Sequence, residues 1–114
     1  METKRTYWEE VQTPKLRLPA LACDAHCHIF GPATQFSYVV ERSFTPVDAP
    51  KEKLFALHQK LGIERCVIVQ SALHGFDNSV VIDAMQARPG SYLGVALSSA
   101  SVSSEELKVM YQQG

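Results

Sequence analysis

The sequence predicts an α/β fold built on a parallel sheet. Three short apolar runs of strand type, at 21–30, 65–70 and 92–97, are each followed by a segment whose apolar residues recur at helical spacing. The composition, 46 % hydrophobic and 20 % charged over 114 residues, provides enough apolar surface for one modest domain and excludes a disordered chain.

Residues 1–20 carry mixed charge, Pro14, Pro19 and a single tryptophan, Trp8, without strand or helix periodicity. They are expected to form an extended lead-in lying over the body of the fold. The first strand covers 21–30 and ends at Gly31-Pro32. A long connection follows at 31–49, in which Phe36, Tyr38 and Phe44 favour an ordered loop. Asp48 is then placed to cap a helix that starts near Pro50, buries Leu54, Leu57 and Leu61, and stops at Gly62. His58 is expected on the solvent side of that helix.

The run 65–70 has no polar alternation, the pattern of a strand covered on both faces. After a turn, Asp77 or Asn78 is expected to cap a second helix carrying Val81, Ala84 and Met85, with Pro89-Gly90 as its stop. A third strand at 92–97 leads into a serine-rich turn, where Ser103 and Glu106 have capping-box spacing for a helix presenting Leu107, Met110 and Tyr111, with Gly114 at its end.

The order β-α-β-α-β-α implies right-handed crossovers and parallel strands. Three such strands cannot close on themselves, whereas an eight-stranded α/β barrel needs roughly 250 residues. The expectation is therefore a partial TIM (β/α)8 barrel of about three βα units, with 1–20 as lead-in and 21–114 as the N-terminal part of the barrel, ending before the barrel closes.

The formal net charge of −1 gives no basic field, so nucleic acid is not expected as a partner. No stretch approaches ~18 consecutive apolar residues, and no signal-like apolar run follows Lys4 and Arg5, so neither a membrane nor secretion is expected. Cys23, Cys27 and Cys66 are odd in number, form no C-x-x-C pair and sit in apolar stretches. They read as reduced thiols packed as small hydrophobes, which points to the cytoplasm.

The motif that carries chemistry is Asp24-Ala25-His26-Cys27-His28. In a regular strand Asp24, His26 and His28 share one face and Ala25, Cys27 and Ile29 the other. Two imidazoles then stand side by side at the strand's C-terminal end, where α/β folds place their sites. Imidazole suits zinc, iron or manganese, yet a catalytic zinc takes at least three protein ligands, so His26 and His28 make at most half a site. Two strand histidines hydrogen-bonded to backbone or to Asp24 account for the same pattern.

The block from Asp24 to Pro32, followed by Asp48-Ala49-Pro50, Leu54-Phe55-Ala56-Leu57, Leu61-Gly62, Val67-Ile68-Val69-Gln70, His74-Gly75 and Asp77-Asn78, resembles the N-terminal part of the 2-pyrone-4,6-dicarboxylate lactonases, in the amidohydrolase superfamily. The resemblance implies an (α/β)8 barrel that opens a cyclic ester with water, acting on a small-molecule lactone or dicarboxylate. It implies that His26 and His28 are catalytic. In the wider superfamily such a pair binds a divalent metal, zinc for example, that activates water; in the lactonase subgroup it works without metal by polarising the lactone carbonyl.

The family's substrate-contacting serine falls at Ala72, a departure that leaves Ser71 as the candidate substitute; a one-residue shift at a strand end reverses its facing, so Ser71 serves equally as a turn residue. His74, expected in a loop at the barrel mouth, is a second substrate-binding candidate, for a carboxylate; otherwise it is a solvated loop histidine. The family's general base, an aspartate at the last strand, and its substrate-binding arginines belong to units outside this chain. Alone the chain is accordingly expected to be inactive. The competing expectations are a non-catalytic barrel piece that assembles with a partner chain or self-associates through open barrel edges, and a small protein holding zinc between His26, His28 and a cysteine.

Overall fold

Three strands form a parallel sheet with helices against one face, as the periodicity predicts. The computed structural model describes residues 1–114. In chain order the elements are β1 (Thr3–Lys4), β2 (Cys23–Cys27), β3 (Thr45–Pro46), α1 (Lys51–Leu61), β4 (Arg65–Val69), α2 (Ser79–Ala87), β5 (Tyr92–Val95) and α3 (Ser104–Gln113). The sheet runs β2-β4-β5, parallel throughout, with α1 and α2 as the two crossovers. The lead-in is not wholly irregular: β1 pairs in parallel with β3, Thr3 beside Thr45 and Lys4 beside Pro46.

The core lies between sheet and helices. Cys66 and Ile68 of β4 meet Val80, Val81, Ala84 and Met85 of α2, with Ile29 and Tyr92 completing the cluster. Burying a side chain such as Ile68, which is wholly buried, contributes about 1.5–3 kcal/mol. The other sheet face is uncovered. Val67 and Val69 are half-buried, and Leu93 and Val95 are exposed, so β4 is covered on one face where the sequence pattern had implied two. The radius of gyration, 14.9 Å, exceeds the roughly 13 Å of a compact chain of this size because the molecule is a slab, 46 × 36 × 21 Å.

Helix ends follow local chemistry, with corrections. α1 has Pro50 at its N-cap and no side-chain cap, because the Asp48 carboxylate turns away to accept from Ala33 N and, at 2.7 Å, from the Tyr38 hydroxyl. Its C-terminal stop is as expected, with Gly62 in the left-handed region (φ 76°) that an L side chain resists. At α2, Asn78 occupies the N-cap position but its side chain reaches across to Leu97; Asp77 takes the capping role by accepting from Ser79 N at 3.1 Å. The capping box of α3 forms, Ser103 Oγ accepting from Glu106 N and Glu106 Oε2 from Ser103 N. Its apolar face finds little cover: no residue of α3 is buried, and Leu107 and Tyr111 are exposed. No helix is long and apolar enough to cross a membrane.

Candidate active site

The decisive local feature is a β-bulge in β2. Asp24 pairs with Cys66 and Cys27 with Ile68, so three steps along β2 match two along β4. The extra residue breaks the alternation. Asp24 and Cys27, three apart, both face the helices beside Cys66, and Asp24 does not share a face with the two histidines as a regular strand would have it. His26 and His28 project from the uncovered face.

There the imidazoles meet edge to face, ring centroids 5.2 Å apart, and both residues are exposed. Nδ1 of His28 lies 2.8 Å from the Val69 carbonyl oxygen. A carbonyl only accepts, so Nδ1 carries the proton, and in the neutral ring Nε2 presents its lone pair outward. The backbone of His26 is fixed by Asp24, whose Oδ1 accepts from His26 N at 3.2 Å. An open cleft of about 1090 Å³ runs along the free edge of β2, bordered by Trp8 from the lead-in, Leu54 and Leu57 from α1, and Phe30 and His28.

Behind the strand lies a buried polar cluster. His58 is only 1 % exposed, not a surface residue of α1. Its Nε2 is 2.9 Å from Asp24 Oδ2 and its Nδ1 2.6 Å from the Tyr92 hydroxyl. The hydroxyl's acidity is weakened to a value of about 12, chiefly by burial, so at neutral pH it stays protonated. Cys27 Sγ and Cys66 Sγ are 3.1 Å apart, and the Cys27 thiol is pushed far above its ordinary value, first by its bond to Cys66 and then by burial. One ligand atom each from Asp24, Cys27, His58 and Cys66 lies within 4.8 Å of the others. No such group includes His26 or His28, and Cys27 is turned away from that pair, so the expected zinc site of two histidines and a cysteine does not form. All three cysteines are free thiols, but only Cys66 is buried and Cys23 is exposed.

The other two candidates serve the turn after β4. Ser71 caps the short 3-10 turn Ala72–His74, its Oγ accepting from Leu73 N at 3.2 Å. His74 is buried, and both ring nitrogens are committed: Nε2 accepts from Gly31 N at 3.1 Å and Nδ1 donates to Ser37 O at 3.0 Å. It is neither solvated nor available to a substrate carboxylate; it ties the loop after β2 to the turn after β4. His58 was the residue missed from sequence. The signal was present, because it lies four residues after Leu54, on the buried stripe of α1.

A family model described as amidohydrolase matches residues 23–110. A 2-pyrone-4,6-dicarboxylate hydrolase of Comamonas testosteroni is 45 % identical over 101 residues, covering 89 % of this chain and 33 % of the relative. A 4-sulfomuconolactone hydrolase of Rhizobium radiobacter is 40 % identical over 97 residues, 85 % of this chain and 32 % of its own length. Among solved structures, a probable 2-pyrone-4,6-dicarboxylic acid hydrolase of Acinetobacter baumannii with citric acid bound superposes with a TM-score of 0.76 over 82 % of this chain and 35 % of that one; at 23 % identity it speaks to the fold alone. A putative 2-pyrone-4,6-dicarboxylic acid hydrolase of Pseudomonas putida gives 0.69 at 27 % identity over 85 % of this chain and 35 % of its own. The chain spans about a third of the length of the curated relatives it matches.

Proposed function

The chain belongs to the amidohydrolase family, and from that premise we propose that it provides the first-strand part of a hydrolase site that opens a small cyclic ester with water. The observation that carries this is the paired exposure of His26 and His28 on the face turned away from the helices. Supporting the ester class are the two curated relatives, both hydrolases with a lactone or pyrone dicarboxylate in their names. On this reading residues 1–20 are a lead-in bordering the cleft and 21–114 are the N-terminal part of a TIM barrel. The partners are a lactone or dicarboxylate small molecule and the further βα units that complete such a barrel.

The residues of the pair fit a divalent metal as two of its ligands. The Val69 carbonyl holds the proton of His28 on Nδ1, the outer-sphere arrangement that aims Nε2 at a metal, and His26 stands beside it. Two imidazoles fall one short of the three protein ligands that a catalytic zinc takes. When bound, the metal supplies Lewis acidity and a water of lowered pKa. The chain's own residues then orient the reaction: Asp24 fixes the backbone of His26, and Val69 fixes the tautomer of His28. Polarising a carbonyl without metal demands an N–H donor: His28 offers one at Nε2 only with a second proton, whereas the exposed ring of His26 presents one in its neutral form. The tautomer therefore favours the ligand role for His28 alone.

The test is complementation. Loss of the ultraviolet absorbance of 2-pyrone-4,6-dicarboxylate is followed with the chain alone and with the chain fused to the C-terminal two thirds of the Comamonas testosteroni enzyme. Turnover is expected only in the fusion, and its loss in His26→Asn and His28→Asn. Undiminished turnover in both variants would overturn the assignment. The uncovered apolar residues Leu93 and Val95 favour a second reading, a non-catalytic piece that assembles with another chain; an inactive fusion with intact secondary structure would support it.

A further inference from the structure

We propose that Asp24, Cys27, His58 and Cys66 form a second, structural site for a thiophilic divalent cation of the zinc type, on the helix side of the sheet and separate from the exposed histidine pair. Their ligand atoms lie within 4.8 Å of one another, the two sulfurs at 3.1 Å and Nε2 to Oδ2 at 2.9 Å. A tetrahedral zinc with Zn–S of about 2.3 Å holds two sulfurs roughly 3.8 Å apart, so the pair has to open by only about 0.7 Å. Two thiolates, an imidazole and a carboxylate are a soft, four-member donor set that selects zinc over calcium or magnesium.

Three features make this more than proximity. The ligands come from three elements, β2, α1 and β4, and converge in a largely buried spot where His58 and Cys66 are each 1 % exposed. Asp24 and Cys27 reach one face only through the bulge, since residues three apart on a regular strand face opposite ways. The second nitrogen of His58 is already partnered by Tyr92 at 2.6 Å, the outer hydrogen bond that a metal-ligating histidine requires.

In the metal-free chain Nε2–H of His58 donates to Asp24 and the Tyr92 hydroxyl donates to Nδ1. On binding, each thiol gives up one proton to solvent and forms a sulfur–metal bond. The imidazole's single N–H moves from Nε2 to Nδ1, where the Tyr92 oxygen turns to accept it. Two protons leave for each cation bound, and no redox partner is needed. The bound cation would clamp the edge strand β2 to β4 and to α1 at once.

The reduced, metal-free chain is titrated with cobalt(II) as a spectroscopic probe and then with zinc. Expected are one tightly bound cobalt per chain, a thiolate-to-cobalt charge-transfer band with intense visible bands of tetrahedral type, displacement by zinc, and loss of the signal in Cys27→Ser and Cys66→Ser. Because those variants remove buried groups and can misfold, the unsubstituted chain is also alkylated with iodoacetamide and mapped by mass spectrometry. Zinc should slow the alkylation of half-buried Cys27 while exposed Cys23 reacts as before. The double variant His26→Asn/His28→Asn should keep both the spectrum and the protection, which separates this site from the hydrolase reading. Weak octahedral bands only, unchanged alkylation of Cys27, or a signal abolished by the double histidine variant would overturn the proposal.

Discussion

Asp24 joins His58 to the strand that presents the exposed imidazoles: its Oδ2 lies 2.9 Å from His58 Nε2 while its Oδ1 accepts the amide of His26. A helix buried on one side of the sheet thereby positions a residue displayed on the other. In Asp24→Ala the His58 N–H is left buried without an acceptor, a loss of roughly 1–3 kcal/mol. Asp24→Asn keeps an acceptor oxygen and should lose less. Urea unfolding of both variants, compared at constant slope, measures the difference.

His74 should behave as a structural residue. His74→Leu strands the Gly31 N–H and the Ser37 carbonyl, each costing roughly 1–3 kcal/mol where water cannot replace the bond. The expected result is a clear fall in the unfolding midpoint. A variant as stable as the parent would contradict the hydrogen-bond geometry.

Acid should weaken the start of α2. The Ser79 hydroxyl, and after it the Ser79 amide, hold the Asp77 carboxyl below its ordinary range. Its proton is thus bound less tightly in the folded chain than in the unfolded one, where the value is about 3.9. The stabilisation is complete above that ordinary value and is lost as pH falls through the lower native value. Asp77→Asn should remove this part of the dependence, so that the melting temperatures of parent and variant converge in acid and separate toward neutral pH.

The uncovered sheet face should be sticky yet replaceable. Leu93 and Val95 are 54 % and 49 % exposed, so Leu93→Thr/Val95→Thr removes little buried surface. The double variant should bind less anilinonaphthalene sulfonate and show less concentration-dependent sedimentation, with an unchanged unfolding midpoint.

The alternation of elements was legible because each strand and helix announces itself locally, through apolar runs at 65–70 and 92–97, the Leu54 and Leu61 stripe, Gly62, and the Ser103 and Glu106 pair. What escaped the sequence was longer-range. The bulge in β2 is marked by no glycine or proline, so strict alternation put Asp24 on the wrong face. His58 looked like a surface histidine because its partners, Asp24 and Tyr92, are each 34 residues away. Asp48 and Asp77 both had capping chemistry, but only the latter was free to use it once Tyr38 had claimed the former. The exposed His26 and His28 pair was the part of the site the sequence made plainest, since an i, i+2 relation within a strand survives next to a bulge.

The surplus residue in β2 also sets a rule of spelling for this stretch. Between Asp24 and Cys27 the count of letters matters more than their identity: with Ala25 removed the two would stand two apart, and ordinary pleating alone would hold carboxylate and thiol on one side and both imidazoles on the other, with no bulge left to absorb. A swap such as Ala25→Ser, at an exposed position, keeps the count and so the bulge.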